Sequence, residues 1–358
     1  MKDLINTINK MIDLRSDTGT VPTAEMWEAM HHAPVGDGGR VDLTGRGEDP
    51  SVYRLERLAA EITGKDDGAY FPTGSLANHT ALLTATNRGD KVLVEKTAHV
   101  YINEKYDFTE KGSGLVPIFY QLNKDYQIDL AEIEYLLSHD DIKVLCLENT
   151  HNYSSGTYLT PQVIKNVCEI AHTKGVHVHM DGARIFNAAV AQNIDVKELA
   201  KYVDSMMFCI SKGLNAPVGS LLVGSQPFIN NVRTTSKLLG TLMRQAGVVA
   251  AAGIVALNNN NISRLKEDHE NAALLGKLLS GNKNIIYDPK SVQTNMVYVD
   301  VSSTSLNAQD VTNALKEKGL LVSKMTDKHI RMVTSSSVTK EIVEKAAEII
   351  NEYFNSLE

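Results

Sequence analysis

From about residue 50 to about residue 250 the chain alternates short runs rich in Val, Leu and Ile with longer segments whose apolar residues recur at helical spacing. Short apolar runs bounded by turn signals suit strands buried on both faces. Intervening helices return the chain so that successive strands point the same way, which confines this region to a parallel sheet covered by helices on both sides. The first helix, 52–63, puts Leu55, Leu58, Ala59 and Ile62 on one stripe and stops at Gly64. A short strand at 67–72 feeds Thr73-Gly74-Ser75 and a helix over 76–86. Strands at 91–95, 116–121 and 144–148, helices at 130–137 and 161–174, and a helix at 195–202 continue the alternation.

Beyond Gly253 the pattern changes. A helical stretch through 264–279 precedes a strand at 296–301, a helix at 308–318, strands at 320–323 and 329–334, and a helix at 340–354. Strands that reverse between helices suit a compact α+β unit. With 358 residues, more than one core usually serves, this predicts an N-terminal arm over 1–24, a large domain over 25–253 and a small C-terminal domain over 254–358.

A net charge of -7 leaves no basic surplus to neutralise phosphate backbones, which argues against a nucleic-acid partner. Cys146, Cys168 and Cys209 are odd in number and lie inside apolar or helical patterns, so they read as reduced core residues and not as a disulfide framework or a metal site. No run approaches the ~18 apolar residues of a membrane span. The first ten residues lack the apolar stretch and cleavage site of a leader, so the cytoplasm is the expected compartment.

The chemistry concentrates at the ends of two apolar runs. Lys212 lies in a small-residue turn, 211–220, between the runs 205–210 and 221–224. A lysine between serine and glycine at the end of a buried strand has little to pair with except a ligand. Asp181 ends the run that begins at Val176. An imine-forming lysine together with an acid that keeps a pyridine nitrogen protonated is what pyridoxal 5'-phosphate requires. Taken alone, Asp181 reads equally as half of a salt bridge with Arg184, since a buried carboxylate needs a cation.

Other candidates each have an ordinary alternative. Thr73-Gly74-Ser75, at a strand-to-helix junction, has the N–H groups and dipole to hold a phosphate, but by itself it reads first as a plain N-cap. His99 either stacks on a pyridine ring and moves protons or is a buried hydrogen-bonder. Lys237 and Arg244 read first as solvated surface cations, although the small, uncharged stretch after Arg244 makes a solvated face a poorer fit for that residue. Arg331, alternating with Ile330 and Met332, offers a planar fork to a carboxylate or is an exposed strand arginine. The segment from Glu148 to Asn152, with His151, closes a strand at the end where α/β sheets bind ligands. The glycines of 36–39 and 45–47 lack the spacing of a phosphate-binding fingerprint and read as a flexible loop.

In order along the chain, Asp13-Leu14-Arg15-Ser16-Asp17-Thr18, Gly47-Glu48-Asp49-Pro50, Phe71-Pro72-Thr73-Gly74-Ser75, Leu147-Glu148-Asn149-Thr150-His151-Asn152, Asp181-Gly182-Ala183-Arg184, the turn at 211–220 and Met243-Arg244-Gln245-Ala246-Gly247 resemble the threonine aldolase and β-eliminating lyase family of fold-type I pyridoxal-phosphate enzymes. The resemblance implies a large domain with a mostly parallel seven-stranded sheet and a smaller α+β C-terminal domain. It implies that Lys212 holds the cofactor aldehyde as an imine, that Asp181 pairs with the ring nitrogen, that His99 stacks on the ring, and that Gly74 and Ser75 hold the phosphate. Lys237 and Arg244 would reach the phosphate region from a neighbouring subunit of a homo-oligomer, a dimer or a tetramer built as a dimer of dimers. Ser16, Arg184 and Arg331 would bind the substrate carboxylate.

The implied activity is retro-aldol cleavage of a β-hydroxy-α-amino acid of the threonine type to glycine and an aldehyde, with His99 or a water held by His151 as base. Three features depart from the family pattern, one being that the glycine-rich stretch before Met243 is Gly240-Thr241-Leu242 here, which alters the phosphate-side loop. A segment from Gly38 to Arg46 replaces a short connection that contains a tyrosine, and a histidine-bearing loop before Val144 is missing. They keep open β-elimination or another β-substituted substrate, with Arg40 and Arg46 placed to accept an acidic side chain. A silent relative that binds ligand without chemistry would lack Lys212, and a dinucleotide-dependent dehydrogenase would need a fingerprint that no strand here opens into.

Overall fold

The computed structural model describes residues 11–357. The first ten residues, part of the expected arm and of the segment read for a leader, lie outside the described residues. The described residues fall into two units, one of Val21–Asn152 and Tyr158–Ser263, the other of 11–20, Tyr153–Thr157 and 264–357.

The larger unit is built on seven strands: β1 (Asp67–Phe71), β2 (Lys91–Glu95), β3 (Val116–Tyr120), β4 (Ile142–Glu148), β5 (His177–Asp181), β6 (Ser205–Cys209) and β7 (Ser220–Gly224). Their order across the sheet is β1-β7-β6-β5-β4-β2-β3, and only β7 runs antiparallel to its neighbours. Every residue of β6 and β7 is buried, as a sheet covered on both faces demands. Helix α1 (Pro50–Thr63) begins two residues before the expected start, because Pro50 fits the first helical position and Asp49 accepts from the Ser51 and Val52 amides. Gly64 ends it in the left-handed conformation, with φ 70°. Helix α2 (Gly74–Ala85) buries Ala77 and Ala81 with Met207, Cys209 and Leu222 in one apolar cluster, which also takes in Ile229 and Val232 of helix α3 (Gln226–Leu238).

Register explains where a site forms. Glu148 pairs with Asp181, Asp181 with Met207, Phe71 with Ser220 and Ser220 with Cys209, so these strand ends share one edge of the sheet. The segments leaving that edge carry Thr73 to Ser75, His99, His151, Arg184 and Lys212. Ligands of open α/β sheets bind along this edge, outside the carboxyl ends of the parallel strands.

In the smaller unit, Ser323–Lys324, His329–Val333 and Met296–Asp300 form an antiparallel sheet in that order. Helices Leu265–Leu279, Ala308–Glu317 and Lys340–Asn355 pack Leu275, Val311, Leu315, Val343 and Ile350 into its core. The strand expected over 320–323 is divided. Leu320–Leu321 pairs in parallel with Ile12–Asp13, whereas Ser323–Lys324 joins the antiparallel sheet, so the chain changes partner at Val322.

Leu145 is fully buried in β4. Leu145→Ala is expected to lower the unfolding free energy by about 2–5 kcal/mol through lost burial and the residual cavity, measured by urea denaturation.

Candidate active site

Asp181 is the most constrained side chain at the sheet edge. It is 2% exposed; its Oδ1 accepts from the Ala183 amide at 3.0 Å and its Oδ2 from Asn78 Nδ2 at 3.1 Å. Burial pushes its carboxyl above the usual range and the Glu104 charge adds to this, while the His99 and Lys212 cations oppose it. An acid under that strain gains most when a further cation reaches it. Behind Asn78 a chain of polar groups runs along the strands: Asn78 Oδ1 lies 3.0 Å from His179 Nε2, His179 Nδ1 2.9 Å from Ser205 Oγ, and Ser205 Oγ 2.8 Å from His177 Nε2.

His99 opens a short helix, His99–Ile102, directly after β2 and its turn. Its amide donates to Glu148 Oε2 at 2.7 Å and its Nδ1 lies 3.0 Å from Glu104 Oε1. One ligand atom from each of His99, Glu104 and Asp181 lies within 4.8 Å of the others. Burial works against protonation of His99, but the Glu104 hydrogen bond and the charges of Asp181, Glu104 and Glu148 outweigh it and raise its proton affinity. Its side chain stays 32% exposed and so within reach of a ligand.

His151, the other candidate, keeps a buried Nδ1 that has no hydrogen-bond partner among the described residues. Its ring is buried, with Nε2 3.1 Å from Glu95 Oε2 and 3.8 Å from Glu148 Oε2. Burial opposes the proton on His151, but Glu148 and Glu95 raise its affinity further, and the same contact draws the Glu95 carboxyl down. Glu148 also accepts from the Asn152 amide at 2.7 Å, so His151 braces the strand ends beneath His99.

The lysine turn is fastened on several sides. Asn215, left-handed at φ 65°, donates its amide to the Lys212 carbonyl at 3.0 Å and its Nδ2 to the Val21 carbonyl at 3.0 Å. Gly219 leaves the turn at φ 116°, where a Cβ would stand 2.4 Å from the Tyr70 ring, so only glycine fits. Lys212 is half-buried in this frame.

Thr73 is the N-cap of α2, its Oγ1 accepting from the Leu76 amide at 3.2 Å. The ordinary cap and the phosphate site therefore coexist: the hydroxyl is used by the helix, while the amides of Gly74 and Ser75 lie in a first turn that has no intrahelical acceptors. A Cβ on Gly74 would lie 2.9 Å from Cys209 Sγ, so the helix start sits on the sheet only because that residue has no side chain. An open groove of ≈ 600 Å³ extends from Thr73 and Ser75 past His79 to Glu104 and Tyr106. The expected cofactor fits this donor set. A buried carboxylate that favours an incoming cation, a lysine whose charge acts on it, and an open helix N-terminus are the three groups it needs.

Other predicted residues lie elsewhere. Arg184, buried, precedes helix α4 (Ile185–Gln192) on the turn that follows Asp181. Within the smaller unit Arg331 Nη2 donates to the carbonyl of Arg15 at 3.0 Å, the peptide that leads into Ser16, so those two candidates are neighbours. Lys237 is exposed on the last turn of α3, and Arg244, also exposed, pairs with Asp37 Oδ1 at 2.7 Å. Neither is among the residues gathered around Asp181.

Arg46 does not present a free guanidinium to a substrate side chain. It is bound to Asp67 and Glu56 in a buried cluster that Arg233 completes, with Arg233 Nη1 2.9 Å from Asp67 Oδ2. The 36–47 segment is also an ordered turn, not a flexible loop: Val41 bridges Gly47, and Asp42 Oδ1 accepts from the amides of Thr44 and Arg46 at 2.8 and 3.1 Å.

Sequence reasoning missed Asn78, Glu104 and His179. The available signals were a buried asparagine on the alanine face of a helix, an acid five residues after His99, and a histidine two residues before Asp181 on the same strand face.

The family model described as "Beta-eliminating lyase" matches residues 13–302. The low specificity L-threonine aldolase of Escherichia coli K12 is 40% identical over 342 residues, 94% of this chain and 97% of that protein. Low-specificity L-threonine aldolase 1 of Arabidopsis thaliana is 37% identical over 341 residues, 93% of each chain. Among solved structures, Leishmania major threonine aldolase superposes with a TM-score of 0.78 at 18% identity, covering 96% of this chain and 99% of that one. The fold is therefore that of the fold-type I pyridoxal-phosphate enzymes.

Burial pushes His179 down to about 3 from 6.5, so the neutral ring contributes stability above pH 6.5 that is lost as the pH falls and only the unfolded chain takes up the proton. His179→Gln is expected to reduce the slope of unfolding free energy against pH between about 4 and 6 by one proton, about 1.4 kcal/mol per pH unit. Urea titrations across that range measure it, and parallel slopes for variant and wild type would contradict it.

Proposed function

Because this chain belongs to the β-eliminating lyase family and is a pyridoxal-phosphate-dependent lyase, we propose that it cleaves a β-hydroxy-α-amino acid of the L-threonine and L-allo-threonine type to glycine and an aldehyde. The observation that carries the reading is the 40% identity to a low specificity L-threonine aldolase over nearly the full length of both chains.

Bound pyridoxal phosphate supplies an electron sink for the pair released at Cα. Lys212 would hold its aldehyde, Asp181 would keep its ring nitrogen protonated, and Gly74 and Ser75 would hold its phosphate. Arg184, on the turn beyond Asp181, offers a guanidinium to the substrate carboxylate and orients the bond to be broken. His99 takes the β-hydroxyl proton, so that the oxygen's electrons form the aldehyde carbonyl as the Cα–Cβ bond breaks. His99 is preferred to His151 because its ring is partly open, whereas the His151 ring is buried with its Nε2 against Glu95 and Glu148. The same reading includes a cytoplasmic homo-oligomer, a dimer of dimers. Exposed Lys237 and Arg244 then serve a neighbouring subunit, and the three buried free cysteines stay reduced.

The purified protein is expected to absorb near the visible edge and to release glycine from threonine and allo-threonine. Lys212→Ala should lose the imine band, borohydride fixation of the cofactor at position 212, and turnover. An unchanged spectrum and rate would remove the assignment, and pyruvate with ammonia from β-substituted alanines, without glycine from threonine, would replace aldol cleavage by elimination.

A further inference from the structure

One carboxylate at the site has no part in the chemistry above. Glu104 follows His99 by five residues, and its side chain is 5% exposed. Its two oxygens face different partners: Oε1 lies 3.0 Å from His99 Nδ1, and Oε2 accepts from Asn78 Nδ2 at 3.1 Å. The same Asn78 nitrogen donates to Asp181 Oδ2 at 3.1 Å. An amide nitrogen has two hydrogens and only donates, so both go to carboxylates and Asn78 Oδ1 is left as an acceptor.

The chain behind Asn78 holds that orientation in place. His179 is neutral, and its Nε2 carries the hydrogen because Asn78 Oδ1, 3.0 Å away, can only accept. His179 Nδ1 therefore accepts from Ser205 Oγ, and Ser205 Oγ accepts in turn from His177 Nε2. Turning the Asn78 amide over would set its oxygen against two carboxylates and its nitrogen against a ring N–H. Every hydrogen from His177 to Glu104 is thereby assigned.

We propose that Glu104 is a positioning residue that sets the tautomer of His99, keeping the hydrogen on Nδ1 so that Nε2 is the nitrogen that exchanges a proton with the substrate hydroxyl. The proposal rests on His99 being the base of the aldol cleavage. Only a carboxylate at position 104 accepts on both sides. A glutamine there must turn its oxygen to Asn78, whose hydrogens are committed, and so presents its NH₂ to His99 Nδ1. That nitrogen must then accept, which moves the ring hydrogen to Nε2. The side-chain shape is preserved while the tautomer is reversed. The charged groups facing His99 are Glu104 on its own segment, Asp181 on β5 and Glu148 on β4, so E104Q also removes one of three charges that raise its proton affinity.

The test uses holoenzyme labelled with ¹⁵N-histidine, with the His99 signals identified by their loss in His99→Gln and the tautomer read by solid-state NMR above the titration of His99. Wild type is expected to show a protonated Nδ1 and a bare Nε2, and E104Q the reverse. In E104Q the cofactor absorption should persist, kcat for glycine release should fall about 100-fold with KM changed much less, as expected for loss of a general base, and the acid limb of the kcat profile should move to lower pH. E104D, still a carboxylate, should keep the wild-type tautomer and recover part of kcat. Wild-type tautomer and kcat in E104Q overturn the proposal, as does a reversed tautomer in E104D, which also decides the matter if E104Q fails to hold cofactor. A reversed tautomer in E104Q from a wild type that releases no glycine would keep the Glu104 assignment and sink the aldolase reading. Glycine release by wild type with an unreversed tautomer in E104Q would do the opposite.

Discussion

A carboxylate buried at the edge of a sheet is an electrostatic debt, and the site of this protein is organised around the one on Asp181. Water is excluded from it, Glu104 stands close by with the same sign, and the hydrogen bonds from Ala183 and Asn78 relieve the cost only in part. Such a group holds its place because the fold over-determines it. Its strand is the centre of a seven-stranded sheet, and its register with Glu148 and Met207 leaves the side chain at the edge where the segments bearing His99 and Lys212 also emerge. The stored affinity for a cation is what a protonated ring nitrogen would draw upon.

The other acids at this edge are handled by pairing. Glu95 and Glu148 face His151 Nε2, and Glu148 in turn accepts the His99 and Asn152 amides, so backbone and side chain are tied in one polar layer beneath the site. A second buried ionic group, with Arg46, Glu56, Asp67 and Arg233, anchors the segment at 38–46. Charges used in this way are spent on architecture. Breaking one partner of such a buried set leaves the others uncompensated, which is why these arginines are poor candidates for substrate recognition.

Much of the fold was legible from periodicity. Apolar runs at 91–95 and 144–148, and the helices that Gly64 and Thr73 bound, were placed within a few residues, because burial on both faces and cap chemistry are local demands. The divided strand around Val322 was not legible, since Leu320–Leu321 pairs with Ile12–Asp13, some three hundred residues away in sequence, and nothing local announces such a partner. The lysine, the aspartate and the glycine-bearing helix start could be named because residue type and position at strand ends restrict their chemistry. The roles of Asn78, Glu104 and His179 could not, because a polar residue in an apolar pattern says only that a partner exists.

The order of residues by itself determined the alternating α/β architecture, the lysine and acid at two strand ends and the family to which the chain belongs, since each is written in local composition, spacing or motif. Tertiary structure alone decided which nitrogen of His99 faces a carboxylate, that His151 is buried with Nε2 against two acids, and that Arg46 is consumed by an internal ion cluster. Hydrogen-bond direction and charge pairing depend on distances between groups far apart in the chain, and those distances exist only once the sheet register has brought the strand ends to a common edge.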